Sequence, residues 1–192
     1  MTTSRTPGQR AGLTRARVLA AAHEVLGELG LSALTMRALA QRLEVAPNAL
    51  YSHVPSKAAL IDEILDDVLV AVRAPTSEVE QPDVGLHTVM ASTYEVLLAH
   101  RDLVPVYLAR QGARGPNAQR LGDVMLGLLA RAGVSTEESR PALSVLIVYT
   151  IGFAAFATHQ PIGAGGDPEQ MRASFDSGLR WLLAGILATT SA

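Results

Sequence analysis

Residues 34–65 read LTMRALAQRLEVAPNALYSHVPSKAALIDEIL, and within them lies a helix-sized segment of barely two turns, with Pro47 at its start and Pro55 just past its end. Proline suits the first helical position, where its missing N–H has no intrahelical partner in any case, and Pro55 blocks continuation past Val54. Upstream, Thr35 is a good N-cap for a helix of about nine residues that turns Leu39, Ala40 and Leu43 to one side. Only Glu44, Val45 and Ala46 join the two helices. Short helices joined so tightly form a helix-turn-helix, whose second member enters the DNA major groove. A groove about 12 Å wide admits one helix end, so extra length would add no contact. Leu50 and Val54 then face a supporting core, which leaves Pro47, Asn48, Ala49, Tyr51, Ser52 and His53 for the groove and its phosphate walls.

Outward from this stretch, residues 13–29 place Val18, Ala21, Ala22, Val25, Leu26 and Leu29 on one helical face, and Gly30 follows as a stop. Ser56 caps a helix over 57–73 whose Leu60, Ile61, Ile64, Leu65, Val68 and Val72 form an apolar stripe. Charge is segregated in the same way. Residues 1–60 hold seven Arg/Lys against three acids, a net +4, while the remainder carries nine against fifteen, a net −6. A positive end on a chain of net charge −2 is the electrostatic footprint of a nucleic-acid module.

Composition narrows the rest. The 192 residues suffice for one large or two small domains, and 48% apolar residues provide a core. With no cysteine, disulfides, thiolate metal sites and cysteine nucleophiles are excluded, which fits a reducing cytoplasm. The first residues, MTTSRTPGQR, lack an apolar signal-peptide region and read as a disordered basic arm over 1–12. Beyond the polar linker APTSEVEQPD, helices are expected over 86–100, over 103–110 with an interruption at Pro105, over 117–132, from Pro141 through Gln160, and over 168–188. The uncharged run 141–160 approaches transmembrane length, yet Ser144, Tyr149, Thr150, Gly152, Thr158 and His159 dilute it, so no membrane span is expected.

The pattern of Thr-x-Arg opening one helix (Thr35, Arg37), Leu-Tyr-x-His closing the next (Leu50, Tyr51, His53) and a lysine near the start of the fourth (Lys57) resembles the TetR family of bacterial transcription regulators. The likeness is strong over residues 14–65 and rests on helix number and length beyond. It implies phosphate contacts for Thr35, Arg37, Tyr51, His53 and Lys57, and base contacts for Asn48, Ala49 and Ser52 beside Pro47. Three positions depart from the family's usual choices: Glu44 stands where Gly is common in the turn, Ala46 where Ser or Thr caps the helix, and Ala49 where Thr is common. Apolar contact to thymine methyls and one Asn48 contact to adenine are therefore expected, not an arginine–guanine code.

A helix apolar on nearly every side must be buried on every side. One wall of 143–159 can face its own domain; the other, with Val145, Tyr149, Gly152 and Phe156, calls for a partner. The last helix offers a matching stripe of Met171, Phe175, Gly178 and Leu182, so a four-helix homodimer interface is expected, as the TetR likeness implies. Seven of the eight aromatics lie after residue 90. His87, Met90, Ala91, Tyr94 and Leu98 share a helical face, and Tyr107, Arg110, Met125, Tyr149 and Phe153 can join them around a small-molecule cavity.

The five histidines show no metal-binding spacing, GAGG at 163–166 lacks the Lys-Ser/Thr of a phosphate loop, and no Gly-x-Ser-x-Gly elbow occurs. No enzyme activity, metal or cofactor is therefore expected. The architecture expected is all-α, about nine helices: a basic arm (1–12), a three-helix helix-turn-helix DNA-binding domain (13–60), a connecting helix (61–75) and a larger helical ligand-binding and dimerisation domain (76–192). The function expected is a cytoplasmic, ligand-responsive dimeric repressor. Its partners are a pseudo-palindromic double-stranded DNA operator and an unknown small-molecule effector. A helical module that binds small molecules without DNA, or a sequence-neutral architectural DNA binder, each fits part of the pattern.

Overall fold

Thr14 opens the first helix, α1 (Arg15–Leu29), by accepting a hydrogen bond from the Arg17 backbone N–H at 3.2 Å. Thr35 does the same for α2 (Met36–Arg42), accepting from Ala38 N–H at 3.0 Å. Ser56 caps α4 (Lys57–Asp67), accepting from Ala59 N–H at 3.0 Å. Between them α3 (Pro47–Leu50) begins at Ala46 without a side-chain cap and ends in a turn, where His53 and Val54 N–H both donate to Leu50 O at 2.9 Å. The computed structural model describes residues 12–75, 81–159 and 167–188; among these it contains nine α-helices and no strand. Nearly all of the basic arm, half of the linker and the glycine-rich loop at 163–166 lie outside the described residues.

The chain divides between Ile64 and Leu65, inside α4. In the first unit the core is made by Val18, Ala22, Leu34, Leu39, Leu50, Val54, Leu60 and Ile64, all shielded from solvent. Leu29, expected on the inner face of α1, is exposed instead, because α1 ends there and Gly30 turns the chain away. Two arginines hold the periphery: Arg15 Nε donates to Glu63 Oε2 at 2.7 Å, and Arg42 bridges Glu28 and Glu24.

The second unit starts with the end of α4. Its helical bonding tightens into a 3-10 turn (Val68–Ala71) and stops at extended Val72, so the helix expected as far as residue 73 is shorter. There follow α5 (Pro82–Ala99), α6 (Val104–Arg110), α7 (Pro116–Arg131), α8 (Thr136–His159) and α9 (Pro168–Ala188). Helix α5 packs on α7, α8 and α9, and α8 also covers α6. The core between them holds Leu86, Val89, Leu97, Val104, Leu129, Leu146, Ala154, Phe175 and Leu179.

Three prolines behave differently from expectation. Pro82 starts α5 four residues before Leu86, and Pro105 sits in the first turn of α6, where it needs no N–H and interrupts nothing. Pro141 lies inside α8 instead of opening it. The true start is a Ser-x-x-Glu box: Ser135 Oγ accepts from Glu138 N–H at 3.2 Å, and Pro141 forfeits one helical bond further on.

The turn of the helix-turn-helix is a Schellman closure. Val45 N–H donates to Ala40 O at 3.0 Å and Glu44 N–H to Gln41 O at 3.2 Å, with Glu44 in the left-handed region at φ 54°. A side chain in that conformation costs about 1–2 kcal/mol, part of which glycine returns as unfolded-state entropy. Replacing Glu44 by Gly should therefore raise unfolding stability by about 0.5–1 kcal/mol. Glu44→Ala should leave it near the wild type. Urea denaturation at constant slope measures both, and a loss of stability in Glu44→Gly would contradict the strain assigned to this turn.

Candidate nucleic-acid interface and cavity

Burial sorts the recognition segment into two faces. Leu50 and Val54 are fully buried and pin α3, whereas Pro47, Asn48, Tyr51 and Ser52 are exposed and Ala49 and His53 half-buried. Ser52 Oγ–H donates to Ala49 O at 2.8 Å, so its hydroxyl offers DNA an acceptor but not its proton. Thr35 is used as a cap yet keeps its own O–H for a phosphate. Cations divide as sharply: Arg15 and Arg42 are held by acids, and each guanidinium is stabilised by its side-chain hydrogen bond to Glu63 or Glu28. Arg37 and Lys57, at the starts of α2 and α4, are exposed and carry no ion pair among the described residues. The sequence alone counted all four as equal positive charge.

In the second unit, α5, α6, α7 and α8 enclose a cavity of about 120 Å³. Of the residues expected to line it, Met90, Tyr107 and Met125 do. The remaining wall is apolar side chains such as Leu69, Val89, Leu121, Leu143 and Ile147, with Thr93, Gln111 and Thr150 as polar members. Tyr107 is buried and its hydroxyl donates to Leu65 O; burial, then the nearby Asp66 charge, raise its pKa far above the usual phenol value and keep it protonated.

Seven residues expected in that wall, Ala91 and Leu98 among them, lie elsewhere. Tyr94 stacks on Phe175 with ring centroids 4.0 Å apart and meets Phe153 edge-on at 5.9 Å; Tyr149 donates its hydroxyl to Phe175 O at 2.9 Å. These rings form an aromatic cluster between α5, α8 and α9. His87 Nε2 lies 3.6 Å from Asp176 Oδ1, and Arg110 is also off the cavity wall. Helical periodicity found the apolar faces but could not say which faced a void.

The outer side of α8 and α9 needs a parallel correction. Phe175 is fully buried in its own unit, and the close approach at Gly178 is used by Tyr149, whose hydroxyl lies 2.3 Å from where a Cβ would stand. Both belong to the core, since Phe175, Leu179 and Leu183 form the inward ridge of α9. Val145 and Phe156 are exposed as expected, and Gly152, Met171 and Leu182 are half-buried. Missed were Val148, 69% exposed, and Trp181, 77% exposed. Trp181 flanks an open groove with Val145, Pro141, Leu182 and Ile186. The spacing 145, 148, 152, 156 was readable; the rotation of α9 was not. By length and composition α8 could cross a membrane, but α5, α6, α7 and α9 pack along it.

At the end of α4, Asp66 is a buried carboxylate that accepts from Asn117 N–H at 3.0 Å, Asn117 Nδ2–H at 3.0 Å and Ala118 N–H at 2.9 Å. It thus caps α7 from another helix. Gly115 makes room, because a Cβ there would come within 2.3 Å of the Asp66 carboxyl carbon. Neither this cap nor the Tyr107 bond is visible in local sequence.

Residues 18–64 match the family model for bacterial regulatory proteins of the tetR family, and 85–171 match the tetracyclin repressor-like C-terminal domain. An HTH-type transcriptional regulator of Saccharopolyspora erythraea is 30% identical over 203 residues, covering 92% of this chain and 86% of that protein. Among solved structures, the TetR family protein ActR of Streptomyces coelicolor in complex with (S)-DNPA superposes with a TM-score of 0.82 at 25% identity over 94% of this chain and 100% of that one. BioQ with its double-stranded DNA operator gives 0.74 at 26% identity, over 92% and 99%. With both halves matched in order, and a relative of this identity aligned over most of its length, the chain belongs to the TetR family of bacterial transcription regulators.

Proposed function

We propose that this protein is a homodimeric repressor that holds a pseudo-palindromic operator and releases it when a small molecule enters the cavity of the second unit. The observation that carries this is the recognition segment, pinned by buried Leu50 and Val54 while Asn48, Tyr51 and Ser52 face solvent beside the unpaired cations Arg37 and Lys57. A BioQ structure on operator DNA and an ActR structure with a small molecule support the two halves of the reading. Operator readout by bacterial regulators places the protein in the cytoplasm, and the function assigned includes no reaction and no cofactor.

Two copies are needed because operator half-sites lie about 34–36 Å apart, one helical turn. The apolar face of Val145, Val148, Phe156 and Trp181 supplies an isologous four-helix contact between copies. Communication runs through α4, which begins at Lys57 and carries Leu65 and Asp66 near its other end. Tyr107 lines the cavity and holds Leu65 O, and Asp66 holds the start of α7, so a ligand that displaces α6 or α7 pulls on α4. The effector must favour the released form for this to lower operator affinity, by about 5- to 150-fold for a coupling of 1–3 kcal/mol.

Gel shifts with genomic fragments at two salt concentrations test the reading. Sequence-selective binding supports it; salt-sensitive binding without preference points to an architectural protein, and no binding to a module without DNA function. Four variants sharpen the test. Lys57→Ala should weaken all DNA sequences alike and flatten the salt slope by about one unit, whereas Asn48→Ala should cost about 1–3 kcal/mol mainly at one base pair. Equal, sequence-blind losses would remove Asn48 from base readout. Trp181→Glu should convert a sedimenting dimer to monomer and abolish two-half-site binding; an unchanged dimer would place the interface elsewhere. Asp66→Ala, outside the DNA-facing residues, should lower stability by about 1–3 kcal/mol and also weaken the operator complex, measured by denaturation and gel shift. Unchanged operator affinity would remove Asp66 from the coupling route.

A further inference from the structure

Among the described residues, the cavity wall contains no Asp, Glu, Lys, Arg or His. Its hydroxyls are already committed as donors: Thr93 O–H to Val89 O at 2.8 Å, Thr150 O–H to Leu146 O at 2.9 Å, and Tyr107 O–H to Leu65 O. Each oxygen retains lone pairs, so inside the cavity these three groups offer acceptors only. The N-terminus of α7, a source of positive potential beside the wall residue Ala118, is occupied by the Asp66 carboxylate. Carbonyls at the end of α6 are likewise taken, with Gln111 N–H on Leu108 O and Gly112 N–H on Tyr107 O. Gln111 is the single exposed residue of the wall and marks the mouth. The volume, about 120 Å³, is of the order of an apolar cavity that accepts one benzene ring, roughly 150 Å³.

We infer that the cavity takes an uncharged, largely apolar molecule of about one ring that brings its own hydrogen-bond donor, and that it rejects carboxylates and ammonium groups. This rests on the reading of the cavity as the effector site. An ionised group would lose its hydration with no counter-charge to replace it. A donor-free ring would leave the acceptors unmet, while a hydroxyl or N–H satisfies one of them.

Four probes test this on the full chain by calorimetry at pH 7: phenol, its isostere toluene, benzoate and benzylammonium. Phenol is expected to bind saturably, toluene roughly two- to tenfold more weakly for the missing hydrogen bond, and the two ions not at all. Location is fixed in two ways. Carbon-13 signals of the Met90 and Met125 methyls, both in the wall, should shift with phenol. Gly122→Leu should abolish binding; Gly122 lines the cavity in α7, a Cβ there meets nothing within 4 Å, and leucine is the better helix former, so the variant folds. Benzoate or benzylammonium binding as tightly as phenol with the same methyl shifts overturns the inference, as does toluene matching phenol or the absence of phenol binding. Because the readout is binding and not DNA release, the two proposals fail separately. Phenol in the cavity of a protein that ignores DNA removes only the regulator reading, and benzoate preferred in an operator-binding protein removes only the ligand class.

Discussion

A buried carboxylate must be satisfied, and the way Asp66 is satisfied holds the end of α4 to the start of α7. Its two oxygens take three N–H donors from the start of α7, which removes the desolvation penalty of the carboxylate and the orphan amides of a helix end in one contact. Because Asp66 sits on α4, the same contact fixes the end of the helix that also carries Lys57. Gly115 is required on the other side, where any Cβ would collide with the carboxyl. The Tyr107 hydroxyl adds a second hold one residue away, at Leu65 O. Both holds border the cavity through Tyr107 and Ala118, so the cavity wall and the anchor of α4 are made of the same residues.

The two ends of the protein use polarity in opposite ways. In the first unit, cations not needed for internal ion pairs are left at helix starts, where phosphate can reach them, and the recognition segment is kept short between two prolines. In the second unit the hydroxyls of the cavity wall donate to backbone carbonyls, which leaves a mostly apolar wall with a few acceptors.

Local signals made the helix-turn-helix legible. Thr35, Pro47, Pro55 and Ser56 punctuate it, and each acts on residues within four positions, a range that sequence exposes directly. The left-handed turn at Glu44 was signalled by the family resemblance, which has Gly there, and not by Glu44 itself. What escaped was long-range. Tyr94 and Tyr149 lie on apolar helical faces as periodicity requires, but whether such a face meets a void or Phe175 depends on the rotation of α9, residues 26 to 81 positions away in the chain. Trp181 was missed because Phe175 drew the expected interface onto the inner ridge of α9. Asp66 looked like one more acid on an amphipathic helix, since its partners are 51 and 52 residues distant. Pro141 misled because a Ser-x-x-Glu start five residues earlier is a stronger signal than a proline that forfeits one bond.

The central claim is that two copies present paired recognition helices to DNA. Footprinting of the protein on a genomic fragment selected by its own binding tests this most directly. Two protected half-sites of related, inverted sequence are expected, with centres about one helical turn, or 34–36 Å, apart, occupied at the same protein concentration. A continuous, sequence-independent protection, or a single half-site filled by one copy, would contradict it.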